Sequence, residues 1–138
     1  MSTYSKILVP VAPDFGDETD RAVEVARALL APGGRITVIS VFEELPRYLV
    51  AQSGIEDSSL ESSRTAAQQS LVDRFGGDDV DVVFKNGNPT RQILDQAEEG
   101  EHDCVVIASA QPGWQSFLLG STASGVVRHA RCAVHVLR

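Results

Sequence analysis

The chain has 138 residues, 43% hydrophobic and 22% charged, which suits one compact domain spanning 1–138 and excludes a disordered chain. Nineteen acidic residues against twelve basic ones give a net charge of −7 and a pI near 4.8, which argues against a nucleic-acid binder that works by neutralising phosphates. No apolar run approaches the ~20 residues that span a bilayer, and the opening MSTYSKILVPV enters a strand pattern directly, with no signal-peptide layout, so a cytoplasmic protein with no membrane partner is expected.

Lys6 to Val11 (KILVPV) is a short apolar run ended by Pro13, Asp14 and Gly16, the pattern of a buried strand followed by a loop. From Asp17 the apolar residues Ala22, Val23, Ala26, Leu29 and Leu30 recur at helical spacing. Glu18, Asp20 and Glu24 put negative charge toward the helix start, where its dipole favours it. Pro32, Gly33 and Gly34 stop this helix, and the β-branched run Arg35 to Phe42 (RITVISVF) predicts a second strand. The polar stretch from Glu43 to Ser63 begins as a loop. A second helix follows from about Leu60 to Phe75, with Leu60, Ala67, Leu71 and Phe75 as its buried stripe.

Gly76 and Gly77 end that helix, and Val80 to Phe84 predicts a third strand running into a turn at Asn86 and Gly87. Asn88 and Pro89 announce a third helix. The Asn side-chain oxygen accepts from a free backbone N–H, and Pro at the first helical position forfeits no bond. Ile93, Leu94 and Ala97 form its inner side and Gly100 closes it. Asp103 to Ala108 is a fourth strand, Ser109 to Leu119 a loop, Gly120 to Ala130 a fourth helix with Val126, Val127 and Ala130 inward, and Cys132 to Leu137 a fifth strand. Alternating strands and helices imply right-handed crossovers, hence an α/β fold with an open parallel sheet covered on both faces.

Cys104 and Cys132 lie in apolar stretches and are expected in the core. His102, His129 and His135 lack metal-ligand spacing, so no metal site is expected. In an open five-stranded sheet of order 3-2-1-4-5, a ligand lies beyond the carboxyl ends of strands one and four, where strand order reverses. That nominates the loops Ala12 to Asp17 and Ser109 to Leu119, the second leading to Gly120, Ser121 and Thr122 at a helix start. These residues have two readings: Ser121 or Thr122 caps the helix, which is the simpler one, or the free N–H groups and hydroxyls receive an anion.

Leu118-Leu119-Gly120-Ser121, then Val126-Val127-Arg128-His129-Ala130, then Cys132, Val134, Val136 and Arg138, together resemble the C-terminal signature of universal stress proteins. The opening ILVPV, Gly87-Asn88-Pro89, and Asp103 with VVIAS support the resemblance, which spans nearly the whole chain and is loosest between Glu43 and Gly77. It implies the five-stranded sheet of order 3-2-1-4-5, adenine-nucleotide alpha hydrolase-like and Rossmann-like. It also implies a homodimer paired through the last strand, whose edge would otherwise invite aggregation. The pocket that it implies for ATP or AMP, with Mg²⁺ accompanying ATP, falls on Val11, Ala12, Val41, Ser109, Gly120, Ser121 and Thr122.

Nucleotide-binding members carry Gly-x-x-Gly, nine residues, then Gly-Ser or Gly-Thr, and usually an Asp just after strand one. Gly120 and Ser121 match the end of that pattern. The earlier glycine positions hold Ile107 and Ala110, or Ala108 with one deletion, and the Asp is replaced by Ala12, with Asp14 two positions on. Residues 108–120 include no Lys or Arg, so an entering triphosphate meets no full positive charge there. The chain is therefore expected to be a non-enzymatic stress-response regulator with a degenerate adenine-nucleotide pocket; the alternative is a stress-related dimer that engages an unidentified protein partner and no nucleotide. Trp114 in the same loop is a stacking candidate or a surface packing residue. An enzyme ranks last, since neither a P-loop Lys nor a Gly-x-Ser-x-Gly elbow is present.

Overall fold

The computed structural model describes residues 4–12, 17–42, 57–109 and 120–138. In chain order these form β1 (Tyr4–Val11), α1 (Asp17–Leu29), β2 (Leu30–Phe42), α2 (Asp57–Phe75), β3 (Val80–Asn86), α3 (Pro89–Glu99), β4 (Cys104–Ala108), α4 (Ser121–His129) and β5 (Ala133–Leu137). The five strands make one sheet of order β3-β2-β1-β4-β5, and every pairing is parallel, as the alternation of elements requires.

Strand pleating sends alternate residues to opposite faces, and the two cores follow that parity. Ile7, Val9, Ile36, Val38, Cys104 and Val106 meet Ala22, Val23 and Ala26 of α1 and Leu71 and Phe75 of α2 on one face. Leu8, Ile39, Val41, Val105 and Ile107 meet Ile93 and Ala97 of α3 and Ala123 and Val126 of α4 on the other. Runs such as ILVPV and CVVIA are apolar at every position because both of their faces are covered. Cys104 is buried, and burial pushes its thiol up to about 11, the behaviour of a packed side chain rather than a nucleophile. Cys132 is half-buried against the second core.

Several boundaries differ from the sequence expectation. β2 begins at Leu30 because Leu30 pairs with Tyr4, and the segment Pro32-Gly33-Gly34 is then a bulge before regular pairing resumes at Lys6 and Arg35. Gly33 serves that bulge at φ +79, a left-handed conformation that side chains disfavour. α2 starts at Asp57, three residues before the expected Leu60. On α4, Val127 is 44% exposed and Ala123 takes the inner position expected of it. Each residue of a helix turns about 100° from the last. With Val126 on the sheet and Gly125 against Thr90 of α3, Val127 therefore falls on the outer flank. Asn88 caps α3 as expected, its side chain accepting from the Arg91 N–H at 3.0 Å, with Pro89 beginning the helix.

At the amino end of the sheet, Asp103 ties β1 to β4. Its carboxylate accepts from the Ser5 N–H at 2.9 Å, the Ser5 hydroxyl at 3.2 Å and the Lys6 N–H at 3.1 Å. The Asp103 N–H in turn donates to the Lys6 carbonyl at 2.9 Å. Burial alone would raise the Asp103 carboxyl, but these donors outweigh it and hold the group below its ordinary value. The Lys6 ammonium donates to the Gly100 carbonyl beside it. His102 is buried next to this clasp; burial first, then the Lys6 charge, keep the imidazole below the ordinary histidine value and neutral near pH 7. Exposed pairs Arg27 with Asp79 (2.6 Å), Arg35 with Asp81 (2.8 Å) and Arg74 with Asp20 flank the α1/α2 side, each contributing little in water.

Asp103→Ala is expected to lower stability by about 2 kcal/mol at pH 7, the scale of hydrogen bonds to a charged acceptor in the fold. Because the folded carboxyl lies below its unfolded value of ~3.9, this contribution is complete above that pH and is lost as pH falls through the folded value. Urea unfolding of wild type and variant should therefore show a gap that narrows on acidification below pH ~4. A gap that stays constant with pH would rule out the ionised clasp.

Candidate functional site

The carboxyl end of the sheet is shaped by where β1 stops pairing with β4. In a parallel ladder, alternate residues turn their N–H and C=O toward a given neighbour. The Lys6 carbonyl accepts from β4's side, so Leu8, Pro10 and Ala12 share that direction. Pro10 has no N–H to give. The β1–β4 ladder accordingly ends at Leu8 and Val105, whereas the β1–β2 ladder continues to Val11 and Ser40. Pairing between the two strands thus stops at the point where the strand order reverses.

On the β4 side, the Ser109 N–H donates to the Leu137 carbonyl of β5 at 2.7 Å, and the Ser109 carbonyl accepts from the Gly120 N–H at 2.6 Å. The second bond fixes the start of α4 to the end of β4. Gly120 is the N-cap at φ −62 and ψ 159, with no side-chain capping bond, and its carbonyl accepts the first helical bond from the Ser124 N–H at 2.9 Å. The expectation that Ser121 or Thr122 caps the helix is thereby corrected: both lie inside it. A glycine cap supplies no side-chain acceptor, so among the described residues the N–H groups of Ser121, Thr122 and Ala123 have neither a helical partner nor a capping side chain. They present the positive end of the α4 dipole.

The seven expected site residues are not all turned one way. Ser109, Gly120, Ser121 and Thr122 are brought together by the Gly120 tether, with Ser109 buried and Ser121 exposed. Val41 packs in the core that contains Ile107 and Ala123. Val11 packs in the opposite core, next to Ser40, a fully buried residue whose hydroxyl has no hydrogen-bond partner. Ala12 is exposed just past the end of β1. Asp14, Ala110, Trp114 and the rest of the 110–119 loop lie outside the described residues. Among the described residues, no group of three His, Cys, Asp or Glu could hold a metal, and no helix is long and apolar enough to cross a membrane.

Pro10 and Gly125 shape this region without having been singled out beforehand. A Pro within a strand run is itself a sign that a ladder stops. A Gly in mid-helix is a sign of close packing: a Cβ on Gly125 would sit 2.5 Å from Thr90 Cγ2 on α3.

A family model described as "Universal stress protein family" matches residues 3–138. The chain belongs to the universal stress protein family. It is 30% identical over 142 residues to Universal stress protein G of Salmonella typhimurium, covering 98% of this chain and 99% of that one. Among solved structures it is similar to universal stress protein UspA from Lactobacillus plantarum, with 26% identity, all of both chains covered and a TM-score of 0.70. A family protein from Arabidopsis thaliana solved with AMP bound shares the fold at 19% identity, with 96% and 90% of the chains covered and a TM-score of 0.66. A universal stress protein solved in complex with cAMP does so at 21% identity, 99% and 98% coverage and a TM-score of 0.62. The sheet order and two-sided helix cover of this universal stress protein are those expected from its sequence.

Gly125→Ala is expected to destabilise the protein by a net ~1 kcal/mol, an overpacking cost of about 2 kcal/mol offset by about 1 kcal/mol of helix propensity. With Thr90 first changed to Ala, the sign should reverse. Thermal melts of the four proteins decide it, and destabilisation persisting in the Thr90→Ala background would remove the clash as its cause.

Proposed function

We propose that this universal stress protein is a cytoplasmic, non-enzymatic regulator that takes an adenine nucleotide between the parted carboxyl ends of β1 and β4 and acts as a homodimer paired through β5. The observation that carries the nucleotide reading is the start of α4, held at the end of β4 by the Gly120-to-Ser109 bond, with N–H groups that no side chain caps among the described residues, beside the end of the β1–β4 pairing at Pro10. The AMP and cAMP in the two fold relatives support the ligand class. Ser109, Gly120, Ser121 and Thr122 receive the phosphate and ribose. Val11, Ala12 and Val41 line the nucleoside end, Val11 through its backbone, since its side chain is committed to the core.

Residues 108–120 bring no Lys or Arg, so the less charged AMP is preferred over ATP, which needs Mg²⁺ to shield its phosphates. A dimer that works through a protein partner without nucleotide is the second reading. It is favoured by Ala12, which has no carboxylate for a nucleoside.

Native mass spectrometry with AMP, and with ATP and Mg²⁺, reads ligand and subunit count together. The expected result is a dimer that carries AMP, with Gly120→Leu weakening binding at least about tenfold, equivalent to 1.4 kcal/mol, while the dimer persists. A bare dimer under both additions would leave the protein-partner reading in place. In a separate variant, Val134→Pro removes an N–H from the open edge of β5 and is expected to yield a folded monomer; an intact dimer would place the contact elsewhere.

A further inference from the structure

The β5 edge has a polarity fixed by its bonds to β4. Because the Leu137 carbonyl accepts from Ser109, residues 133, 135 and 137 turn their backbone groups inward to β4. Val134 and Val136 therefore turn theirs outward. A second copy approaching this edge antiparallel about a twofold axis engages both valines of both strands in one register, with Val134 opposite the partner's Val136. Other twofold registers leave one of the two facing residues beyond the strand. The valine pairing is self-complementary and β-branched, which suits a cross-strand contact.

That register puts His135 opposite its own copy. The two histidines form a pair without mutual backbone bonds, the kind in which Cα atoms approach to ~4.5 Å and side chains lie closest. His135 is exposed on the α1/α2 side of the sheet, and so is Ala133. The surroundings offer no compensating carboxylate on the strand. Its register partner on β4 is Val106, and Arg131 and Arg138 flank β5. Arg131 lies 3.5 Å from Glu98 of α3. α4 carries Arg128 and His129 in its last turn, and α1, packed on β4, carries Asp17, Glu18, Asp20, Arg21, Glu24 and Arg27, with Asp20 paired to Arg74 and Arg27 to Asp79.

We infer that the homodimer is a proton-sensitive assembly in which the His135 pair at the twofold axis weakens subunit pairing on acidification. This rests on the β5 dimer proposed above. Histidine is the side chain that gains charge between pH 8 and 5. Two imidazolium groups at van der Waals range repel one another, and neutral imidazoles do not. An acid shift thus separates subunits through a residue that belongs to neither core.

The test is sedimentation equilibrium of the full chain at pH 7.5 and 5.5, with circular dichroism at both values to establish that the fold persists. The wild-type dimer dissociation constant is expected to rise at least about tenfold at the lower pH, since two unit charges a few ångströms apart repel by nearly that factor in bulk water and by more near a protein surface. His135→Thr keeps a strand-forming residue without a titrating group and should dimerise equally at both pH values, while His129→Gln should retain the wild-type response. Equal wild-type constants at the two pH values, or a pH response surviving in His135→Thr, overturn the inference and leave the dimer standing. A wild type that is monomeric at both pH values removes the dimer reading itself, and the inference with it.

Discussion

A single absent hydrogen governs the carboxyl end of this sheet. β1 is the central strand and must satisfy neighbours on both sides, yet Pro10 can continue pairing only where its nitrogen faces away from the ladder. With Val9 and Val11 turned to β2 and Leu8 and Pro10 to β4, the loss falls entirely on one side. A proline one place earlier or later would instead have interrupted β1 against β2. The opening is thus placed by the parity of one residue, at the topological position where a doubly wound sheet receives its ligands.

The two ends of the β1–β4 seam are built from different materials. At the amino end, an ionised Asp103 and the Lys6 backbone and ammonium hold the strands with charge-assisted bonds. At the carboxyl end, the described bonds are neutral and bypass β1: the Ser109 N–H donates to the Leu137 carbonyl of β5, and the Gly120 N–H to the Ser109 carbonyl. The polar clasp lies far from the opening, so substitution near the opening leaves it intact. Ala12, where the family resemblance implies an Asp, sits at that carboxyl end.

Much of the architecture was legible because it is written in local pattern. Unbroken apolar runs announced strands covered on both faces, and Asn88-Pro89 announced α3, cap included. The misplaced elements are those decided by tertiary contact. Leu30 continues a helical stripe in sequence but pairs with Tyr4, and Val127 has the right residue type for the core but the wrong angle once Gly125 is set against α3. At the candidate site, the glycine and hydroxyl residues were identified by motif. The division of Val11 and Val41 between opposite cores follows from strand parity and was legible in principle; the cap at Gly120, rather than at a hydroxyl residue, depended on the Ser109 bond and was not.

The Asp103 clasp also bears on how the chain acquires its shape. Its bonds join residues 97 and 98 positions apart, whereas β1, β2 and β3 can associate from the first 86 residues alone. During synthesis, the inner edge of the central strand therefore waits uncovered until β4 emerges. Closure of so long a loop is slow, and an open edge of this kind is prone to pairing with another chain. The carboxylate that joins β1 on arrival thus helps close an edge otherwise open to pairing with another chain.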